Sequence, residues 1–154
     1  MPGAIFVAVS AFLHLVLGRW MPSPWLMPDL TVTSMVLAIL LLPRRPLGPA
    51  AAGGALVMLT TAQHPLAMGA AYAAVGGLIK LCAGWWDLTS PAFQRAAVIA
   101  AQLLLLAVAF VVSVPLTREV GLLAAGHLLI TAMCVPLVRS LLMRWIPSTR
   151  PEPR

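Results

Sequence analysis

The side chains able to do chemistry are few and far apart. The 154 residues include four carboxylates, Asp29, Asp87, Glu119 and Glu152, and three histidines, His14, His64 and His127. No two carboxylates are close enough in the chain to suggest an acid–base pair. The histidines show no His-x-x-x-His spacing, and no Gly-rich phosphate loop is present. No serine stands near a histidine and an acid in a recognisable motif. Cys82 and Cys134 fall inside apolar runs without Cys-x-x-Cys spacing. They read as small buried hydrophobes rather than as a disulfide framework or a metal site. These residues predict a protein that is not an enzyme and carries no metal or cofactor.

What remains is a thin polar set. His14 and His127 are each embedded in an apolar run, and Asp29 stands at the mouth of another. All three are expected near one end of the molecule, His14 and His127 roughly 10 Å below its edge at about 1.5 Å per residue. Gln63 and His64 fall near the same edge. If the first and last runs are neighbours, these residues form one outward-facing cluster, either a small-molecule pocket or a docking site. The alternative is that water or lipid headgroups satisfy them singly. Gln102 is isolated in a Leu-rich run, and an inter-helix hydrogen bond accounts for it.

Composition decides what must position these groups. Hydrophobic residues make up 61% and charged residues 9% of the chain, whereas a soluble domain carries about a quarter charged residues. So little polar surface cannot cover a water-soluble globule. Long Leu/Ala/Val runs, rather than alternating segments of about ten residues, predict an all-α membrane bundle and not a barrel. The net charge is +6, but the basic residues stand at the ends of apolar runs and form no patch with aromatics. Nucleic acid is therefore not an expected partner; the lipid bilayer is.

The stretch Trp25–Pro46 sets the direction. It has a Trp at one edge, a Pro-Asp-Leu entry, an apolar span, and a Pro-Arg-Arg-Pro exit containing Arg44 and Arg45. Trp favours the membrane interface, and paired Arg residues mark the cytoplasmic side. Six apolar runs can be threaded from it: 3–19, 27–42, 47–63, 66–84, 96–114 and 120–143. Prolines punctuate the gaps between them, and Pro136 inside the last run predicts a kink. The first run, having no basic region before it, is expected to be a retained helix rather than a cleaved signal.

Residues 1–146 thus form a single six-helix domain, and 147–154 a disordered cytoplasmic tail. The aromatic belt is Trp20, Trp25, Trp85, Trp86 and Trp145. With both termini cytoplasmic, Arg44, Arg45, Lys80, Arg95, Arg139, Arg144, Arg150 and Arg154 share one side, leaving Arg19 and Arg118 on the other. This is the positive-inside bias.

The third and fourth runs are rich in Gly and Ala. Gly69, Ala73 and Gly77 stand at i, i+4 and i+8 on one face. Such spacing lets backbones approach closely in lipid. It predicts that these helices lie at the bundle centre or that one faces a partner's helix. Leu103–Leu106 is expected to face lipid.

Trp-Leu-Met-Pro-Asp-Leu at 25–30 resembles the entry to the second helix of the rod shape-determining MreD family. The likeness continues through Pro43-Arg44-Arg45-Pro46, the Gly/Ala-rich 47–61, Pro65-Leu66, and a small-residue helix containing Tyr72. It is strongest over 25–77. The chain departs from the family in lacking an Asp near Leu59–Thr60, and in having Ala67 where Gly commonly follows Pro-Leu.

The resemblance implies a non-enzymatic, multi-pass component of the bacterial cytoplasmic membrane acting in the cell-elongation complex. It would bind an MreC-like membrane protein and act beside a peptidoglycan glycosyltransferase and a penicillin-binding transpeptidase. The family is similar in fold to the substrate-binding subunits of energy-coupling-factor vitamin transporters. This gives a rival expectation: a pocket using His14, Asp29 and His127.

Overall fold

The computed structural model describes residues 2–42, 47–60, 64–83, 90–112 and 117–145. Among these residues the chain is all-α: α1 (Pro2–Gly18), α2 (Leu30–Leu41), α3 (Leu47–Thr60), α4 (Pro65–Ala83), α5 (Pro91–Val112) and α6 (Arg118–Trp145), with one 3₁₀ turn at Pro24–Leu26 and no strand. The basic turn with Arg44 and Arg45, then Gln63, Trp85, Trp86, and the tail 147–154 lie outside the described residues.

Three helices are long and apolar enough to cross a membrane, in the stretches Pro65–Cys82, Pro91–Val112 and Arg118–Trp145. The other three are apolar but shorter. α3 starts cleanly because Pro49 falls in its first turn, where the missing N–H has no helical partner to lose. α6 continues as helix through Pro136.

The centre is α2, not α3 or α4. Its residues Thr31 to Leu40 are all buried, and it packs against each of the other five α-helices. The ring around it runs α1, α3, α4, α5, α6, and the closing contact between α6 and α1 is the slightest. The sequence explains this arrangement. A helix apolar on nearly every side needs apolar surroundings, and α2, only 12 residues long, finds them among the ring helices. Its hydroxyls are satisfied locally: Thr33 Oγ1 donates to the Asp29 carbonyl at 2.7 Å, and Ser34 Oγ to the Thr31 carbonyl at 3.1 Å.

The ring helices bury only stripes. In α5 the buried residues are Gln94, Val98, Ala101, Gln102 and Leu105; in α6 they are Ala124, His127, Thr131, Val135, Val138 and Leu142. Both sets follow the helical period. Leu103 and Leu104 are exposed as expected, but Leu105 turns inward.

The small residues of α3 and α4 serve to bring those two helices together. A Cβ on Gly54 would lie 3.0 Å from the Gly69 carbonyl, and one on Gly76 would lie 2.6 Å from the Ala50 Cβ and 3.3 Å from Ile39 Cδ1 of α2. The predicted stripe is thereby corrected. Gly69 is at the contact and Ala73 lies beside Gly54, but a Cβ on Gly77 would meet nothing within 4 Å. The buried small position is Gly76, seven residues after Gly69, because two helical turns span about seven residues.

Two aromatic rings fix the relation of the chain's ends. Phe6 and Trp145 meet edge to face, with centroids 6.4 Å apart, so the start of α1 lies beside the end of α6.

Gly76 offers a direct check on the packing. Gly76→Val forces Cβ against Ala50, and overpacking of this kind costs about 1–3 kcal/mol. Gly77→Val should leave stability nearly unchanged. Thermal unfolding of the two variants in the same mild detergent should show a lower midpoint for Gly76→Val alone.

Candidate functional site

Asp29 organises the polar interior. It is the N-cap of α2, and its Oδ1 accepts from the Val32 amide at 2.9 Å. An N-cap carboxylate satisfies a donor that the first turn leaves free, and it lies at the positive end of the helix dipole. Its other oxygen, Oδ2, accepts from the Tyr72 hydroxyl at 3.3 Å and from Gln102 Nε2 at 3.4 Å. The Asp29 amide donates to Thr131 Oγ1 at 3.0 Å. One residue thus ties α2 to α4, α5 and α6.

The network extends to His127, whose Nε2 lies 3.0 Å from Gln102 Nε2. An amide oxygen in that position would face the Asp29 carboxylate, so the NH₂ group points both ways. One N–H donates to Asp29 and the other to His127 Nε2. Trp25, half-buried in the 3₁₀ turn, stands edge-on to this ring with centroids 6.0 Å apart at 85°. His127 Nδ1 and Gln102 Oε1 are buried without a hydrogen-bond partner among the described residues.

Depth corrects the expectation for Asp29. Tyr72 lies seven residues past Pro65, Gln102 ten before Val112, and His127 nine past Arg118. Asp29 therefore sits about 10–15 Å inside the ends of these helices, at about 1.5 Å per residue. α2 begins in the interior, and the segment after α1 folds inward to reach it. Met27, just before the cap, is 2% exposed.

The predicted cluster is only partly assembled. Asp29 and His127 come together, bridged by Gln102, in a buried network rather than an outward-facing one. His14 does not join them. It lines a separate hollow with Leu15, Gly18, Arg19 and Met27. Its proposed approach to His127 required α1 and α6 to be close neighbours, and their contact is slight. His64 is exposed and takes no part; it precedes α4 with a left-handed φ of 49°. Trp25, expected as an interface anchor, is half-buried and packed on His127, whereas Trp20 and Trp145 are exposed. Gln102 makes the inter-helix bond expected of it. Thr131 and Tyr72 were not singled out for the site. Thr131 had a signal, since it stands four residues after His127 on the same helix face.

This arrangement can hold helices together. The carboxylate lone pairs are directed at three donors, and among the described residues no group of three His, Cys, Asp or Glu side chains is placed to hold a metal. Comparison with known proteins finds no match: no family model, no curated protein and no solved structure.

Substitution at Asp29 should separate its two roles. Asp29→Ala removes a cap worth about 1 kcal/mol and leaves the Tyr72 hydroxyl and the Gln102 amide unpaired, at about 1–3 kcal/mol each. Asp29→Asn keeps a capping oxygen but sets an amide N–H against that of Gln102. Stability should fall in the order wild type, Asn, Ala, by about 3 kcal/mol or more for Ala. Equal losses in the two variants would mean that the inter-helix bonds contribute little.

Proposed function

We propose that this chain is a six-span scaffold of the bacterial cytoplasmic membrane, similar to MreD, that docks an MreC-like single-span protein and supports lateral wall synthesis by a glycosyltransferase and a transpeptidase. The observation that carries this reading is how polarity is distributed. Asp29, Tyr72, Gln102, His127 and Thr131 are directed at one another inside the ring. The outward faces of α1, α5 and α6 present Phe12, Val111, Leu129 and Met133. Such a body offers apolar surface to lipid and to other helices. The sequence likeness over 25–77 supports the particular family, and its Pro-Asp-Leu entry coincides with the cap that starts α2.

In this reading α2 need not match the bilayer by itself, because five helices screen it from lipid. The start of α1 and the end of α6 share one end of the bundle, as an even number of spans requires. That end also carries Arg139 and Arg144 on α6 and Arg95 at the start of α5. Arg19 and Arg118 stand at the other. The positive-inside bias then puts both termini in the cytoplasm.

Two measurements test the proposal. In a variant without native cysteines, Thr117→Cys should react with an impermeant maleimide applied to whole cells, and Met143→Cys should not. An MreC-like partner should co-elute with the chain in mild detergent, and depletion of the chain should round the cells. Isolation of the chain alone, with rod shape intact after depletion, would overturn the scaffold.

A second reading, a vitamin-binding transporter subunit, draws on the two unpartnered interior atoms, His127 Nδ1 and Gln102 Oε1. It predicts a small molecule retained through purification and released on denaturation, which mass spectrometry would detect.

A further inference from the structure

The hollow at the end of α1 is separate from the Asp29 network, and nothing so far uses it. Its volume is about 330 Å³, and its lining is His14, Leu15, Gly18, Arg19 and Met27. The two polar groups are both able to donate. Arg19 is exposed and has no ion-pair partner among the described residues. His14 Nδ1 is buried and has no hydrogen-bond partner among the described residues. Among the described residues no carboxylate lines the hollow, and Asp29, two residues beyond Met27, has its oxygens turned to Val32, Tyr72 and Gln102.

The floor is soft and apolar. A Cβ on Gly18 would meet only the Met27 sulfur, at 3.9 Å. α1 closes just above, where Arg19 N donates to the Val16 carbonyl and Trp20 N to that of Leu17. Arg19 is thereby set at the helix end rather than out on a loop. Helical spacing puts Phe12, Leu15 and Val16 on the same side below it, and all three are exposed. Trp20, 84% exposed, follows directly, as suits a residue at headgroup level.

A cation thus stands beside a small hollow, with an apolar track leading away along the helix. That is the pattern of an anionic amphiphile. We propose that the outer end of α1 binds one anionic phospholipid, its phosphate held by Arg19 at the hollow that His14 lines and an acyl chain lying along Phe12, Leu15 and Val16. The guanidinium matches a phosphate in shape and charge. A carboxylate on a partner's helix would satisfy Arg19 too, but the exposed Trp20 beside it sets the hollow at headgroup level, where a lipid phosphate lies.

This inference rests on the membrane reading above, and the two can fail separately. A chain recovered in the aqueous fraction without detergent would sink the membrane reading before any lipid is added. For the lipid site, the full chain is delipidated in neutral detergent and offered phosphatidylglycerol or phosphatidylcholine, with bound lipid counted by native mass spectrometry.

Wild type should hold one phosphatidylglycerol about tenfold more tightly than phosphatidylcholine, since hydrogen bonds to charged groups are among the stronger ones. Arg19→Gln should remove that preference, and Arg19→Lys should keep part of it. Gly18→Leu should block the hollow and cut binding with no change of charge. Arg118→Gln, at the same end of the bundle, should bind as wild type does.

Equal binding of the two lipids by wild type would overturn the proposal. So would equal losses in Arg19→Gln and Arg118→Gln, which would indicate diffuse attraction to a basic surface. So would a defect of Arg19→Gln confined to partner recovery, which would give the hollow to a protein carboxylate.

Discussion

A helix that starts inside a protein must find partners for the N–H groups of its first turn, and this requirement shapes the structure. α2 starts at Leu30, about 10–15 Å inside the ends of α4, α5 and α6, counting about 1.5 Å per residue. The first-turn residues Thr31, Val32 and Thr33 are buried, so the turn's free N–H groups need partners within the protein. Asp29 answers with one carboxylate oxygen on the Val32 amide. That solution buries a second oxygen, which needs donors of its own. Tyr72 and Gln102 supply them from two other helices, and Thr131 accepts the Asp29 amide from a third. The cap and the inter-helix network are thus one structure. The ring helices cannot shift in register without leaving part of it unpaired.

The two sides of the ring meet α2 by different means. On the α3–α4 side the contact is made by absence of side chain. Gly53 faces the Met35 sulfur, Gly76 faces Ile39 and Ala50, and Gly54 lies against the Gly69 carbonyl. Close backbone approach of this kind gains dispersion and needs no polar group. On the α5–α6 side the buried stripes carry Gln102, His127 and Thr131 among Val and Leu. Tyr72 of α4 joins them from the other side, and all gather about Asp29 because a hydrogen bond needs its partner within about 3 Å. The α1–α6 seam has neither device along most of its length. It is closed at one end by Phe6 and Trp145, and His14 lies at the other without joining the network.

Much of this was legible in the sequence, for identifiable reasons. Length, apolar runs and proline punctuation give six helices, because helix existence depends on composition summed over many residues. The start of α5 is missed by five residues: Pro91 fits the first helical position, so Gln94 and Arg95 are helical despite their polarity. The central place of α2 was open to inference, since an apolar run of about 13 residues is short against the roughly 20 that a lipid-exposed span needs, and ring helices can screen it. Gly and Ala content misleads on this point. It reports how closely two helices approach, not how far either lies from the centre. The bond between Gln102 and the interior follows from its isolation in an apolar run. Its partner does not, because pairing Gln102 with Asp29 and His127 depends on the order of helices around α2, which a single sequence leaves open.

The same geometry explains why conventional site-finding cues point in two directions here. A buried carboxylate beside a histidine, a glutamine and a tyrosine has the membership of a reactive centre. Its wiring differs. A general base needs a free lone pair facing a substrate, and the Asp29 oxygens are directed at Val32, Tyr72 and Gln102. The atoms without partners are one step removed, on His127 and Gln102. Polarity in this molecule is thus drawn to the interior and to the helix ends, with apolar surface between them. A partner helix meeting such a surface can be recognised only by its shape along the apolar faces and by the few charges at either end. The scaffold reading and the lipid site at Arg19 therefore arise from one division of labour, in which the interior fixes the shape and the ends carry the charge.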